Sequence, residues 1–309
     1  MATFDITGVV QALHDARHHW RQAQSQRRNS EAGNREFPSR DALASIIDSL
    51  KGVLFPMRLG PPDLRQESEN FHVAHALDAA LHALLHQVKR ELAYNASLQS
   101  EVGRPVEEEA LAAVRRFAAA LPEIRSLLDS DVLAAYQGDP AARSVDEVLL
   151  CYPGVLAMIH YRLAHQLYVL GLPLLARIVA ELAHSATGID IHPGATIGAG
   201  FFIDHGTGVV IGETAVIGER VRVYQAVTLG AKRFPTDAEG NLQKGWPRHP
   251  VVEDDVVIYA GATILGRITL GKGAVIGGNV WLTHDVPAGG RVAQAESREG
   301  ALANGIGAS

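Results

Sequence analysis

The chain has 309 residues and a formal net charge of −6, from 28 Lys plus Arg and 34 Asp plus Glu. This length allows two domains, and the acidic balance argues against a general nucleic-acid binder. A single cysteine, Cys151, excludes an internal disulfide and fits a reducing compartment. The sequence shows no basic stretch followed by an apolar core, so we expect no secretory signal and a cytoplasmic location.

The first part of the chain has the pattern of a helical domain, because apolar residues recur every three or four positions and strand-like alternation is absent. Its most apolar window contains His160, Arg162 and His165, which indicates a buried amphipathic helix rather than a membrane span. The segment Thr3–Pro38 is polar, and we expect it to be partly mobile. We predict a helical oligomerisation domain over residues 1–187. The helical pattern covers Leu43–Leu50, Phe71–Leu92, Val106–Leu121 and Val155–Leu170.

Four histidines share one face of the second of these helices. Their spacing allows a zinc site, but no supporting carboxylate or cysteine is evident beside them. We therefore interpret them as a half-exposed polar stripe at a subunit contact, and we predict no metal site in this protein. The stripe consists of His72, His75, His82 and His86.

From Ile191 to Leu282 an aliphatic residue recurs every six positions. The repeat restarts two residues out of step after Ile203, and it resumes at Val252 after a polar excursion over residues 231–248. A helix or a flat strand does not have this period, whereas a solenoid of short parallel strands does. We predict a catalytic β-helix over residues 188–287, with the excursion as a wall of the binding site, and a flexible tail over residues 288–309.

Five polar residues stand where the repeat would tolerate any side chain. A histidine with a nearby carboxylate is the minimal general-base pair, and an arginine fork suits a substrate carboxylate. An acidic side chain suits an ammonium group, so the set predicts a pocket for a zwitterion with a base beside it. No Ser or Cys nucleophile accompanies them, which favours direct attack by a substrate hydroxyl. The five residues are Asp190, Asp204, His205, Arg248 and His249.

Residues 189–218 read I-D-I-H-P-G-A-T-I-G-A-G-F-F-I-D-H-G-T-G-V-V-I-G-E-T-A-V-I-G. The segments V-T-L-G-A, R-H-P and A-G-A-T-I-L-G follow at 227–231, 248–250 and 260–266. In these segments the chain resembles the serine O-acetyltransferases, a family of hexapeptide-repeat acyltransferases. The run D-H-G-T-G followed by V-V-I-G-E-T-A is specific to that family, and the match extends from residue 139 to residue 286.

The resemblance implies a helical domain followed by a left-handed parallel β-helix, assembled as a trimer or a dimer of trimers. It implies acetyl transfer from acetyl-CoA to the hydroxyl of L-serine, which gives O-acetylserine and CoA in cysteine biosynthesis. Acetyl-CoA is then a co-substrate, and no cofactor is bound permanently. L-cysteine is the expected feedback inhibitor, and neither a nucleic acid nor a membrane is an expected partner.

The resemblance also assigns roles to individual residues. The catalytic base is His205, with Asp190 as its carboxylate partner. The serine-binding residues are Asp139, in G-D-P-A-A, together with Asp204, Arg248 and His249. The residues expected to line the CoA channel or bind its phosphates are Gly230, Ala231, Ala260 and Lys272.

Two departures from the family pattern limit these expectations. The stretch A-Q-A-E-S-R stands where the family has A-G-x-P-A-R, so the contacts to the CoA adenine are undefined. The chain ends in G-I-G-A-S rather than in the isoleucine that docks into cysteine synthase, so we expect no stable complex with that enzyme.

Other functions remain open on the sequence alone. A related acyltransferase would use another hydroxyl acceptor, such as homoserine. A β-helix carbonic anhydrase needs three histidines on one zinc, and the third would have to be His192 or His284, with Arg248 disfavouring the cation. A purely structural assembly module would leave the pair of Asp190 and His205 without a purpose.

Overall fold

The computed structural model describes residues 6–25, 37–99, 105–237 and 240–294. The helices are α1 (Thr7–Ser25), α2 (Arg40–Leu54), α3 (Pro56–Leu59), α4 (Glu69–Gln99), α5 (Val106–Gly138), α6 (Val145–Cys151), α7 (Pro153–Val169) and α8 (Pro173–Thr187), with a 3₁₀ turn at Gln66–Ser68. The four predicted helical segments lie in α2, α4, α5 and α7. Within the described ranges, no helix is both long and apolar enough to cross a bilayer.

Short parallel strands follow the helices. They are β1 (Asp190–Ile191), β2 (Thr196–Ile197), β3 (Phe202–Ile203), β4 (Val210–Ile211), β5 (Val216–Ile217), β6 (Arg222–Val223), β7 (Thr228–Gly230), β8 (Val251–Val252), β9 (Val257–Ile258), β10 (Thr263–Leu265), β11 (Thr269–Leu270), β12 (Val275–Ile276), β13 (Trp281–Leu282) and β14 (Arg291–Val292). Helices followed by a repeat of parallel strands confirm the predicted fold class.

The chain forms two compact units. The first comprises Met1–Leu121 and Gln166–Val179. Its core includes Leu50 of α2 and Leu84 of α4, both fully buried. The buried carboxylate of Glu91 accepts the N–H groups of Leu174 and Leu175 at 2.8 Å each. These N–H groups open α8 and have no partner within the helix, so Glu91 caps its positive end.

The second unit comprises Pro122–His165 and Ala180–Ser309 and contains all the strands. Its sheets have the strand orders β1-β4-β7-β10-β13, β11-β8-β5-β2 and β14-β12-β9-β6-β3. Consecutive strands belong to different sheets, so each coil gives one strand to each of three faces. The repeating aliphatic side chains point inward, which explains the period of six. One inward column consists of Ile191, Ile211, Leu229, Ile264 and Leu282, all buried.

The register shows where the repeat changes phase. Asp190 pairs with Val210, but Val210 pairs with Thr228, so the first coil is two residues longer than the next. The extra residues lie in the turn between β3 and β4. At the other end, β14 pairs with β12 and adds a strand inside the segment that the sequence assigned to the tail. The helix-to-strand change lies between Thr187 and Asp190, although the second compact unit also includes helical residues.

A buried ion pair connects the helices of the second unit to its first coil. Arg162 of α7 donates to both carboxylate oxygens of Asp131 of α5, at 3.1 and 3.0 Å. The two side chains are only 4% and 1% exposed. The guanidinium also donates to the carbonyls of Ile197 and Gly198, at 2.6 Å each. Asp131 in turn accepts the N–H of Phe201 at 2.9 Å, so the two charges are paired and hydrogen-bonded.

Two further side chains of α7 reach the same coil. The Tyr161 hydroxyl donates to the carbonyl of Ala195 at 2.6 Å, and His165 Nδ1 lies 2.8 Å from the carbonyl oxygen of Pro193. β2 ends its sheet, so these carbonyls have no strand beside them on that side. The polar side chains of α7 therefore cap the exposed edge of the solenoid.

We expect replacement of Arg162 by Met to destabilise the fold by about 3–5 kcal/mol, because it leaves the Asp131 carboxylate buried without a counter-charge. Arg125→Met is the matched control, since Arg125 forms an exposed pair with Asp129 on the same α5 helix. The control should cost less than about 1 kcal/mol. Urea unfolding followed by circular dichroism measures both, and equal losses would contradict the role of the buried pair.

Candidate active site

The turn between β3 and β4 carries His205. The backbone of His205 has φ 58°, and Gly206 follows with φ 92°. Arg220, Ala226, Asp255 and Asn279 have the same left-handed conformation, so it is a feature of the coil corners and does not by itself mark a functional site. A Cβ on Gly206 would lie 2.5 Å from Ile189 Cδ1, so only glycine fits the second position. This turn directs the imidazole outward and leaves it 72% exposed.

The carboxylate of Asp204 lies under this imidazole. Its Oδ1 is 3.8 Å from His205 Nε2, and its Oδ2 accepts a hydrogen bond from Arg222 Nη2 at 3.0 Å. The Arg222 guanidinium carbon lies 5.0 Å from the Phe202 ring and 4.7 Å from the Tyr224 ring. These rings and the ion pair hold Arg222 in place, and Arg222 in turn holds Asp204.

Asp139 follows the C-terminal end of α5, and the preceding Gly138 packs against Phe202 and Arg222, which places a second acidic group near this turn. Its Oδ2 accepts the Tyr152 hydroxyl at 2.5 Å, and its Oδ1 accepts the N–H of Ala141 at 2.8 Å. The Tyr152 hydrogen bond, helped by the charges of Arg222 and His205, lowers the pKa of Asp139. The same bond raises the pKa of Tyr152 to about 12. Asp139 therefore remains a carboxylate that can attract an ammonium group.

Arg248 lies in a different part of the coil, just before β8. Its Nη2 is 2.6 Å from Glu213 Oε2, and its Nη1 donates to the carbonyl of Trp246 at 3.2 Å. The side chain is about a quarter exposed, at 23%. Glu213 therefore holds the Arg248 side chain in place, while part of the guanidinium group remains accessible to a ligand.

The neighbouring imidazole of His249 is buried beside Arg248. Its Nδ1 accepts the N–H of Thr214 at 3.1 Å. A Cβ on Gly212 would lie 2.0 Å from the ring, so glycine is required for the imidazole to fit there. Burial and the positive charge of Arg248 lower the pKa of His249 to about 4. His249 is therefore neutral at pH 7, and since Nδ1 accepts a hydrogen bond, Nε2 carries the proton and can donate one.

The predicted site residues form two groups on different edges of one chain. Asp139, Asp204 and His205 gather at the edge between β3 and β4, whereas Arg248 and His249 lie at the edge between β7 and β8. The excursion loop brings the chain back to the edge between β7 and β8. There the Thr214 hydroxyl accepts the backbone N–H groups of Arg248 and His249.

Asp190 pairs with Val210 in the sheet, and its carboxylate lies with Glu181 and His184 of α8. The acid that lies next to the His205 imidazole is Asp204, whose Oδ1 is 3.8 Å from Nε2. The pairing of Asp190 with His205 stays a prediction.

The four residues assigned to CoA also lie on several edges. Gly230 ends β7 beside Leu265 and leads into Ala231, whereas Ala260 lies between β9 and β10. The Lys272 ammonium lies 3.7 Å from carboxylate oxygens of both Asp254 and Asp255. Its positive charge is therefore partly compensated, and its role in phosphate binding stays a prediction.

The excursion loop, the end of β10 and the turn after β10 line an open cavity of about 520 Å³. Four cationic side chains and two aromatic rings line it, a combination that suits a ligand with phosphates and a flat ring. These residues are Lys232, Arg233, Arg248, Arg267, Phe234 and Trp246. The sequence predicted the loop as a wall of the site, but Arg248 is the one of these six side chains that it singled out.

Two site residues were missed from the sequence. Arg222 pairs with Phe202, twenty residues earlier, because this coil is two residues longer than the next, so the eighteen-residue spacing of the repeat gave no signal for it. Tyr152 also had no sequence signal, because its position depends on how α6 and α7 meet.

The histidine stripe of α4 needs one correction. Asp78 does lie nearby, with a carboxylate oxygen 3.5 Å from His82 Nδ1, and that nitrogen is also 2.9 Å from the carbonyl oxygen of Asp78. Within the described ranges, none of the four histidines belongs to a group of three or more side chains close enough to share a metal ion. The C-terminal segment that bears on cysteine synthase lies outside the described residues.

Comparisons with known proteins agree with the fold and the motifs. A family model described as Bacterial transferase hexapeptide (six repeats) matches residues 249–284. The plasmid serine acetyltransferase of Synechococcus elongatus is 58% identical over 277 residues, which cover 88% of this chain and 86% of that protein.

Two solved structures extend the comparison. Entamoeba histolytica serine acetyltransferase 1 in complex with L-cysteine matches with a TM-score of 0.71 and 40% identity, covering 81% of this chain and 86% of that one. Neisseria gonorrhoeae serine acetyltransferase in complex with serine matches with a TM-score of 0.53 and 27% identity, covering 81% of this chain and 95% of that one. The resemblance inferred from the sequence motifs is confirmed.

We expect His249 to titrate with a midpoint near pH 4. Its unfolded pKa is about 6.5, so the unfolded chain takes up this proton first as the pH falls. The contribution of His249 to stability is thus complete above about pH 6.5 and is lost as the pH falls toward 4. Imidazole NMR resonances measure the midpoint, with His249→Asn for assignment. A midpoint above about pH 6 would contradict the burial of this ring.

Proposed function

The chain belongs to the serine acetyltransferase family, and we propose that it transfers the acetyl group of acetyl-CoA to the hydroxyl of L-serine, giving O-acetylserine and CoA. One observation carries this proposal at the level of the site. The exposed imidazole of His205 stands 3.8 Å from the carboxylate of Asp204, and Asp139 lies in the same region, after Gly138, which packs against Phe202 and Arg222. A base next to acidic groups suits an acceptor that carries both a hydroxyl and an ammonium group.

In the proposed reaction, His205 accepts the proton of the serine hydroxyl as the oxygen attacks the thioester carbonyl carbon. The new C–O bond forms a tetrahedral intermediate, and its collapse breaks the C–S bond. The CoA thiolate then takes the proton back from the imidazolium. Asp204 and Asp139 hold the substrate ammonium, which fixes the hydroxyl near the base.

The substrate carboxylate needs a cation, which Arg248 supplies. The Nε2–H group of the His249 ring is a second suitable donor. Arg248 and His205 occupy different edges of one chain, so we propose that two copies complete each site. The edge with Arg248 from one copy would face the edge with His205 from the next. Contacts between two different edges are head-to-tail, and repeating them around a closed ring joins three copies of a three-sided coil. A trimer, or a pair of trimers, follows.

The cavity behind the excursion loop supports acetyl-CoA as the co-substrate. Its lysine and arginine side chains suit the phosphates, and Trp246 with Phe234 offers surfaces for the adenine. Gly230 and Ala231 lead directly into the loop that forms this cavity. We propose that the co-substrate enters here, which would supply adenine contacts without the missing A-G-x-P-A-R stretch.

We also propose that L-cysteine inhibits by occupying the serine site. Cysteine presents the same ammonium and carboxylate groups to Asp139, Asp204 and Arg248, with a thiol in place of the hydroxyl. Its binding to the Entamoeba histolytica enzyme supports this view.

Acceptor choice and the base are tested together by initial rates of thioester loss with serine, homoserine and threonine. We expect serine to be preferred, and His205→Ala to lower turnover by roughly 10²–10⁴-fold with binding of acetyl-CoA retained. His284→Ala is the control, since His284 is also exposed but lies after β13. Near wild-type turnover of His205→Ala would refute the assignment of the base, and a preference for homoserine would identify the other acceptor.

The shared site is tested by co-expressing two inactive variants, His205→Ala and Arg248→Ala, with different affinity tags. Mixed oligomers purified through both tags should regain activity well above either variant alone, because some interfaces pair an intact His205 edge with an intact Arg248 edge. His205→Ala mixed with Asp204→Asn is the control, since both changes affect the same edge. Activity no greater than that of the separate variants would mean that each site is built within one chain.

A further inference from the structure

We propose that Glu181, His184 and Asp190 form a binding site for a divalent transition-metal ion such as Zn²⁺, and that the ion inhibits the enzyme. One carboxylate oxygen of each acid and one imidazole nitrogen all lie within 4.8 Å of one another. Among the residues that the structure describes, these three are the one such group of potential metal ligands. Imidazole and carboxylate together form a donor set that zinc accepts readily.

The distances fit a tetrahedral ion. Zinc bonds of about 2.0–2.2 Å separate neighbouring ligand atoms of a tetrahedron by about 3.3–3.6 Å. His184 Nδ1 and Glu181 Oε2 lie 3.3 Å apart. Glu181 and His184 are three residues apart on one face of α8, so the helix itself sets this edge of the tetrahedron. An oxygen of Asp190 lies within 4.8 Å of a ligand atom of each, so a shift of about 1 Å would provide the third ligand and leave a fourth position for water.

The fold brings the third ligand back to the helix. Gly188 ends α8 with φ 71°, and its N–H donates to the carbonyl of His184 at 2.9 Å. The chain reverses at this glycine, and the N–H of Asp190 is held by the carbonyl of Val209 at 2.9 Å. The site therefore lies at the C-terminal end of α8, where the helix dipole adds negative potential for a cation.

The inhibitory effect rests on the proposed function and on the role that the family resemblance assigns to Asp190, that of carboxylate partner of His205. An ion coordinated by Asp190 would withdraw that carboxylate from the base. The metal is thus proposed as a regulator that competes with catalysis and not as a resident cofactor. The sequence predicted no metal site, because the three ligands come from helix α8 and strand β1 and the sequence does not show that these lie side by side.

Binding is tested by titrating chelator-treated full-length protein with Zn²⁺ in a calorimeter, and by the visible spectrum of the Co²⁺-loaded protein. We expect one ion per chain and a tetrahedral Co²⁺ spectrum. His184→Ala should weaken Zn²⁺ binding at least about tenfold. His82→Ala is the matched control, since His82 is an exposed histidine beside an acid on another helix. Equal affinity of His184→Ala and the control would overturn the site.

Inhibition is tested by initial rates of thioester loss with and without Zn²⁺. Glu181→Gln and His184→Ala should keep the activity of the metal-free wild type and lose most of the inhibition. Zn²⁺ binding at this site without inhibition would overturn the regulatory role. Failure of the proposed function gives a different result from failure of the metal proposal. In the first case the metal-free wild type lacks serine acetylation, while Zn²⁺ binding in the calorimeter is unchanged.

Discussion

The buried pair of Asp131 and Arg162 is the constraint on which the second unit depends. Moving two charges out of water is costly, and this cost is offset only because the pair is bidentate and its remaining donors and acceptors are satisfied. Those remaining groups belong to the first coil, where Arg162 bonds to Ile197 and Gly198. The same interaction therefore neutralises a buried charge and covers the open edge of the solenoid. A first coil lacks a preceding neighbour, and α7 takes the place of that neighbour.

The period of the β-helix is interrupted twice, and each interruption carries part of the candidate site. The two extra residues before β4 lengthen the turn that carries His205, so this turn differs from the regular corners of the coil. The excursion at residues 231–248 returns at Arg248 and His249, and it also lines the basic cavity. The regular coils act as a rigid support, so backbone strain and polar side chains are confined to the edges.

The two interruptions lie on different edges, and this has a chemical consequence. One edge collects carboxylates around a base, whereas the other offers an arginine and a neutral histidine. A substrate with both an ammonium and a carboxylate group is complementary to the two edges together. Within one chain each edge compensates part of its own charge, through Arg222 on the first and Glu213 on the second. Those internal partners keep the groups ordered before any substrate is bound.

The sequence by itself determined the class of fold, the four helical segments, the place of the excursion loop and the family, because each rests on local periodicity or on a contiguous motif. It also identified Asp204, His205, Arg248 and His249 as residues that the coil does not need. Only the tertiary structure decided which partner each side chain meets, because those partners lie on distant segments, as Arg222 does for Asp204 and Glu213 for Arg248. Tyr152 and the end-capping role of Arg162 could not be read from the sequence, since both depend on where helices meet the coil, and no local period encodes that position.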